Sequence, residues 1–77
     1  MKIVIRTFGI LSDIIEINTV EITRTTSIEN LVLNLKNQYP ELKSMAFLIF
    51  VNGKSRSLQT ILKDRDEVAF IPPFAGG

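Results

Sequence analysis

The chain finishes Phe74-Ala75-Gly76-Gly77, and its last two residues are where residue type and spacing could do chemistry. A terminal Gly77 carries a carboxylate. Without a Cβ on Gly76 or Gly77, another protein's active site can close around the backbone. A bare carboxylate can be activated by adenylation, and the acyl-adenylate then reacts with sulfur or with an amine. A final Gly-Gly arises by chance in roughly 0.5% of chains, so the pair alone decides little. Its setting adds weight. The pair follows Phe70-Ile71-Pro72-Pro73, and prolines hold a segment extended without internal hydrogen bonds. Six extended residues reach at most about 20 Å. The expectation is a flexible arm over residues 72–77 with the reacting group at its tip. The competing reading is a frayed end with accidental glycines.

Other chemistry has little material. The chain holds no histidine and no cysteine, which removes zinc sites built on those ligands, thiol nucleophiles and Ser-His-Asp triads. Its glycines form neither G-x-G-x-x-G nor G-x-x-x-x-G-K-[ST]. Asp64, Asp66 and Glu67 cluster, but without the spacing of a calcium loop. They read as a solvated turn. No base follows Ser12 and Asp13 at a recognisable spacing. A self-contained enzyme is therefore not expected, nor a bound cofactor or metal. The net charge of +1 is too small and too dispersed for a nucleic-acid footprint. The longest apolar run, residues 46–51, is far short of a membrane span. Arg6 interrupts the N-terminal apolar stretch, so no signal-peptide core forms. Cytoplasmic residence is the expectation.

The elements that position the arm follow from periodicity. With 77 residues, 45% apolar and 22% charged, the chain reads as one globular domain over 1–77. Residues 2–8 form a strand with Ile3 and Ile5 on one face and Val4 and Arg6 on the other, and Gly9 breaks it. Residues 10–15 form one helical turn or a wide loop. Residues 16–24 read as a second strand paired with the first. Thr26-Ser27-Ile28-Glu29 matches a capping box. Ile28, Leu31, Val32 and Leu35 then make one helical stripe, with Leu33 off it, until Pro40 stops the helix near residue 38. Residues 46–51 are apolar on both alternating faces, and Asn52-Gly53 is a hairpin turn. A short strand over 54–57, a 3₁₀ turn over 58–62 and a polar turn over 64–66 precede a last strand, 67–71. Pro72-Pro73 ends it. One helix cannot cover two sheets. The fold expected is α+β, a β-grasp (ubiquitin-like) mixed sheet wrapped on one main helix. That helix covers one face of the sheet, so the other keeps an apolar surface that needs a partner.

The last third carries a family resemblance. Asp66-Glu67-Val68-Ala69-Phe70, Pro72-Pro73 and Gly76-Gly77 complete the pattern D-E-V-A-F-x-P-P-x-x-G-G, and this ending resembles the small subunit of molybdopterin synthase. The strand followed by Phe8-Gly9, Leu11 and Asp13 is similar to that family's F-[AG]-x-L-R-[ED], with Ser12 where the family often has Arg. Arg65 stands in place of a common turn glycine. The resemblance implies a last strand parallel to the first. It also implies a sulfur carrier. An adenylating enzyme of the ubiquitin-activating type would consume ATP to convert the Gly77 carboxylate to an acyl-adenylate, and a sulfur donor would then leave a thiocarboxylate. The synthase large subunit, supplying the catalytic side chains, would accept the tail and build the dithiolene of molybdopterin. Gly77 carries the reacting group and Gly76 supplies clearance. Phe8, Ile71, Pro72, Pro73, Phe74 and Ala75 are the expected partner interface. Two alternatives stay open: a thiamine-type sulfur carrier, and a ubiquitin-like modifier joined to lysines through Gly77.

Overall fold

A computed structural model describes residues 1–73. Phe74, Ala75, Gly76 and Gly77, which include both expected reacting positions, lie outside the described residues. The elements run β1 (Lys2–Thr7), α1 (Leu11–Ile14), β2 (Thr19–Glu21), α2 (Ile28–Gln38), a 3₁₀ turn (Pro40–Ser44), β3 (Leu48–Val51), β4 (Lys54–Ser55) and β5 (Glu67–Ile71). They build one five-stranded sheet in the order β2-β1-β5-β3-β4. β5 lies between β1, to which it is parallel, and β3, to which it is antiparallel. This is the mixed β-grasp sheet expected, with the last strand at its centre.

Alternation along the strands sorts the side chains. Ile3, Ile5, Val51, Val68 and Phe70 face α2 and are buried. The helical stripe Ile28, Leu31, Val32 and Leu35 is buried against them, while Leu33 is 53% exposed. Leu11, Ile15, Leu42 and Leu62 close the core from the connecting segments. Phe70, 1% exposed, stacks on Phe47 with ring centroids 5.5 Å apart.

The start of α2 corrects the expected capping box. The cap is Ser27, whose Oγ accepts from the Asn30 N–H at 3.2 Å. Glu29 does not reach back to Thr26. Instead Thr26 is buried, and its carbonyl accepts from Leu62 N–H at 2.9 Å. The first helical amides, of Ile28 and Glu29, donate to the carbonyls of Thr60 and Leu58. A helix start has four unpaired N–H groups, and here a crossing segment takes up the first two. That segment is the one expected to be a 3₁₀ turn. It closes one local turn, Thr60 N–H to the Ser57 carbonyl at 3.0 Å, and then runs across the helix start with Ile61 bridging to Ser27. β2 is also shorter than the 16–24 expected, covering only Thr19–Glu21.

Two turns hold the far end of the sheet. Asn52 and Gly53 adopt φ of 52° and 81°, the paired left-handed geometry of a two-residue hairpin. The Asn52 side chain accepts from Glu67 N–H and donates to Asp66 Oδ1, each at 3.0 Å, tying the hairpin to β5. Asp64 accepts from Lys2 N–H at 2.7 Å, and this bond is the main cause holding its carboxyl below the usual value. Between them Arg65 takes φ of 69°, the conformation glycine adopts without strain. A left-handed non-glycine residue costs about 1–2 kcal/mol. Arg65→Gly is thus expected to raise stability by up to about 1 kcal/mol after glycine's greater chain entropy is subtracted. For a domain this size that corresponds to a melting shift of about 4–8 °C per kcal/mol. Thermal denaturation checks it, and a fall in Tm contradicts it.

Candidate functional site

The expected interface is built where β1 and β5 end side by side. The parallel register pairs Arg6 with Ala69 and Thr7 with Phe70. Phe8 continues past β1, and its N–H donates to the Phe70 carbonyl at 3.2 Å. Phe8 is therefore held beside Ile71, one residue before Pro72. It is 45% exposed. With Val4, Arg6, Asn18 and Thr19 it lines a shallow groove along β1. Ile71 and Pro72 are half-buried, and Pro73 is exposed. Of the sequence-expected residues, the structure brings together Phe8, Ile71, Pro72 and Pro73. Phe74, Ala75, Gly76 and Gly77 lie outside the described residues.

Register extends this patch across the face turned away from α2. Leu48 lies opposite Ile71, and Phe50 opposite Ala69. Leu48 is 48% exposed and Phe50 half-buried. Leu48 and Phe50 were not singled out from the sequence as interface residues. The signal was there: a strand apolar on both alternating faces needs cover on both, and α2 covers one. Arg6 and Glu67 form an ion pair on this face, Arg6 Nε to Glu67 Oε2 at 3.0 Å, with both side chains substantially exposed. Such a pair adds little to stability. It places a polar margin beside the apolar surface, the usual anatomy of a protein interface.

The root of the arm is shaped by Gly9. It takes φ of +58°, and a Cβ built there would stand 3.0 Å from Pro72 Cγ. The turn after β1 therefore passes directly under the first proline of the arm. Ser12, at the place where the resembled family often has Arg, forms a hydrogen bond with Thr7 Oγ1 at 3.2 Å. It stays local to this turn.

The described residues hold no group of three or more His, Cys, Asp or Glu side chains placed to bind a metal, and no described helix is long and apolar enough to cross a membrane. What the geometry provides is an apolar sheet face, half-covered aromatic and aliphatic side chains on its three inner strands, and a stiff proline pair following the central one.

Known proteins give the same picture. A sulfur carrier described as the molybdopterin synthase sulfur carrier subunit of Mycobacterium tuberculosis is 43% identical over 60 residues, spanning 75% of this chain and 72% of that protein. A Pyrococcus furiosus structure assigned as molybdopterin converting factor, subunit 1, superposes with a TM-score of 0.85 at 21% identity, covering 94% of this chain and 97% of that one. Small archaeal modifier protein 1 of Haloferax volcanii superposes with a TM-score of 0.77 at 19% identity, covering 94% and 97%. At such identities these two establish the fold alone. The resemblance carried by residues 66–77 is borne out by the sequence relative. The model of the ThiS family matches residues 5–77, and on that match this chain belongs to the ThiS family.

Proposed function

We propose that this chain is the sulfur-carrying small subunit of a molybdopterin synthase, charged at Gly77. The observation that carries this reading is the 43% identity to a molybdopterin synthase sulfur carrier subunit, joined to a P-P-x-x-G-G ending that follows the central strand in the sequence. The chemistry belongs to the backbone carboxylate. One carboxylate oxygen attacks the α-phosphorus of ATP bound to an adenylating partner, and pyrophosphate leaves. A sulfur nucleophile at the hydrosulfide level then adds to the acyl carbon. The bond to the AMP oxygen breaks, and a Gly77 thiocarboxylate remains. In the synthase, this sulfur attacks a carbon of a cyclic pyranopterin; the C–O bond at that carbon breaks, and its oxygen leaves with phosphate or, after protonation, as water. Water cleaves the acyl–sulfur bond and restores the carboxylate. A dithiolene contains two sulfurs and each charged carrier brings one, so two deliveries complete it.

Within this reading the domain works by docking. The large subunit and the adenylating enzyme each seat the apolar sheet face around Phe8, Leu48, Phe50 and Ile71, and draw the arm into an active site of their own. Side chains for acid–base work come from those partners. Both ATP and reduced sulfur donors are cytoplasmic supplies, so the protein acts in the cytoplasm.

Docking makes a specific demand on Leu48. Replacing it with Glu puts a charge into a surface that the partner must desolvate. Binding to the large subunit is expected to weaken by about 2 kcal/mol, roughly 30-fold in Kd. Leu48 is nearly half exposed, so the change in folding stability should stay near 1 kcal/mol or below. Calorimetric titration and a thermal melt separate the two effects. Unchanged affinity would remove this face from the interface.

The pathway is tested by mixing the charged carrier with a synthase large subunit and the cyclic pyranopterin precursor. Formation of molybdopterin, with the carrier returned to its carboxylate, is the expected result. A charged carrier that yields no molybdopterin but forms isopeptide adducts on lysines in cell extract would replace this reading with conjugation. Sulfur passed only to a thiazole precursor would replace it with the thiamine-type carrier.

A further inference from the structure

We infer that the Asn52-Gly53 bond is a spontaneous modification site held in check by a latch onto β5, and that conversion of Asn52 to an acid releases the latch irreversibly. The inference stands whether or not Gly77 carries sulfur.

One side chain builds the latch. In an antiparallel ladder, the residues of a hydrogen-bonded pair exchange both N–H···O bonds. Continuing the β3–β5 register one step past Val51 and Val68 sets Asn52 against Glu67. The Asn52 N–H donates to the Glu67 carbonyl at 2.8 Å. The return bond goes to the side chain. A φ of 52° turns the Asn52 backbone into the hairpin, and its Oδ1 accepts from the Glu67 N–H at 3.0 Å. Its Nδ2 donates to Asp66 Oδ1 at 3.0 Å, while Asp66 Oδ2 accepts from the Lys63 N–H at 2.8 Å. Both ends of the amide are engaged, and the carboxylate that holds it is itself held.

Asn-Gly occurs once in the chain. The glycine N–H has no side chain beside it, so its nitrogen can attack the preceding amide. The Gly53 nitrogen loses its proton and bonds to Asn52 Cγ. The Cγ–Nδ2 bond breaks, and ammonia leaves with that proton. A five-membered succinimide remains, and water opens it to an aspartyl or isoaspartyl residue. A Cβ built on Gly53 meets nothing within 4 Å, so no neighbour shields the turn. The restraint lies in the two amide bonds, because Cγ must rotate toward the Gly53 nitrogen and both break when it does. The reaction therefore runs through the opened hairpin.

The product cannot close the latch. An aspartate at position 52 still accepts from the Glu67 N–H. Its other oxygen stands where Nδ2 stood, 3.0 Å from Asp66 Oδ1, with no proton between two like charges. Arg56 and Lys63 line the same hollow. They are exposed, so salt screens their charge, and neither restores the lost donor.

The experiment uses the full chain at neutral pH, folded and in unfolding urea, with deamidation followed by intact mass and peptide mapping. In urea, the acid should form first at Asn52. In the folded chain it should form at least about tenfold more slowly, because only the opened hairpin reacts. Equal rates folded and unfolded would overturn the proposal, as would an Asn52 that survives in urea while other asparagines convert. Asn52→Asp then stands for the product. It should lower Tm by about 5 °C or more. In an Asp66→Asn background, where an amide donor again faces an acceptor, the same substitution should cost less than half as much. An Asn52→Asp chain that melts with the wild type, or that loses equally in both backgrounds, would overturn the release through Asp66.

Discussion

Deleting Gly77 is expected to abolish sulfur loading while leaving the fold untouched. The deletion does not remove the carboxylate; it moves it onto Gly76. The reacting carbon retreats by one residue, about 3.3–3.6 Å along an extended chain. Attack on a phosphorus or by a sulfur needs the reacting atoms about 3–3.5 Å apart and aligned, and a shift of 1 Å can cost about 100-fold. A whole residue should therefore cost at least about 10³-fold. Residue 77 lies outside the elements that build the core, all of which end at Ile71 or before. The melting temperature should stay within about 1 °C, since changes away from the core usually fall within ±0.5 kcal/mol. Intact mass after incubation with ATP, the adenylating enzyme and a sulfur donor reads the first effect, and a thermal melt reads the second. Loading that survives the deletion would detach the chemistry from Gly77.

The largest stability effect is expected from Phe70→Ala. Phe70 sits on the central strand, paired with Thr7 of β1 and Ile49 of β3. It is 1% exposed and stacked on Phe47. Removing a buried aromatic side chain costs about 3–5 kcal/mol. A chain of this length has roughly 4–11 kcal/mol in total. The variant should lose at least about 12 °C in Tm, and near the lower bound it unfolds outright. Phe70→Leu, which refills most of the space, should recover most of that loss. Urea denaturation of the three forms measures it. A loss under about 1 kcal/mol in Phe70→Ala would mean that the centre of the core lies elsewhere.

The parts legible from the sequence were those set by local rules. The stripe Ile28, Leu31, Val32 and Leu35 is buried as a period of 3.6 requires. The bounds 67–71 of β5 match, because Pro72 removes the next donor. Asn52-Gly53 makes the hairpin because both positions need positive φ. The misses came from contacts made over distance. Thr26 looks like a cap by its spacing to Glu29, but the Glu29 N–H donates to the distant Leu58 carbonyl and the cap falls to Ser27. Pro40 was read only as a stop, yet it begins a 3₁₀ turn that buries Leu42. Residues 58–62 read as a local turn, but their Leu58 and Thr60 carbonyls accept from the distant start of α2.

The site divides in the same way. Phe8 and Ile71 could be chosen from composition and position, since each sits at the end of a strand next to the arm. Leu48 and Phe50 required the β3–β5 register to place them on the same face. Gly9 read simply as a strand breaker. Its closeness to Pro72 arises from the parallel pairing of β1 and β5, a contact between residues far apart in sequence that no local pattern encodes.

The central claim is that sulfur is carried on the last residue. Its most direct test is the intact mass of the full chain after incubation with ATP, the adenylating enzyme and a sulfur donor, followed by fragment mapping. The account predicts exchange of one oxygen for one sulfur, confined to Gly77. No exchange, with an adenylating enzyme shown to charge another carrier in the same assay, would contradict it.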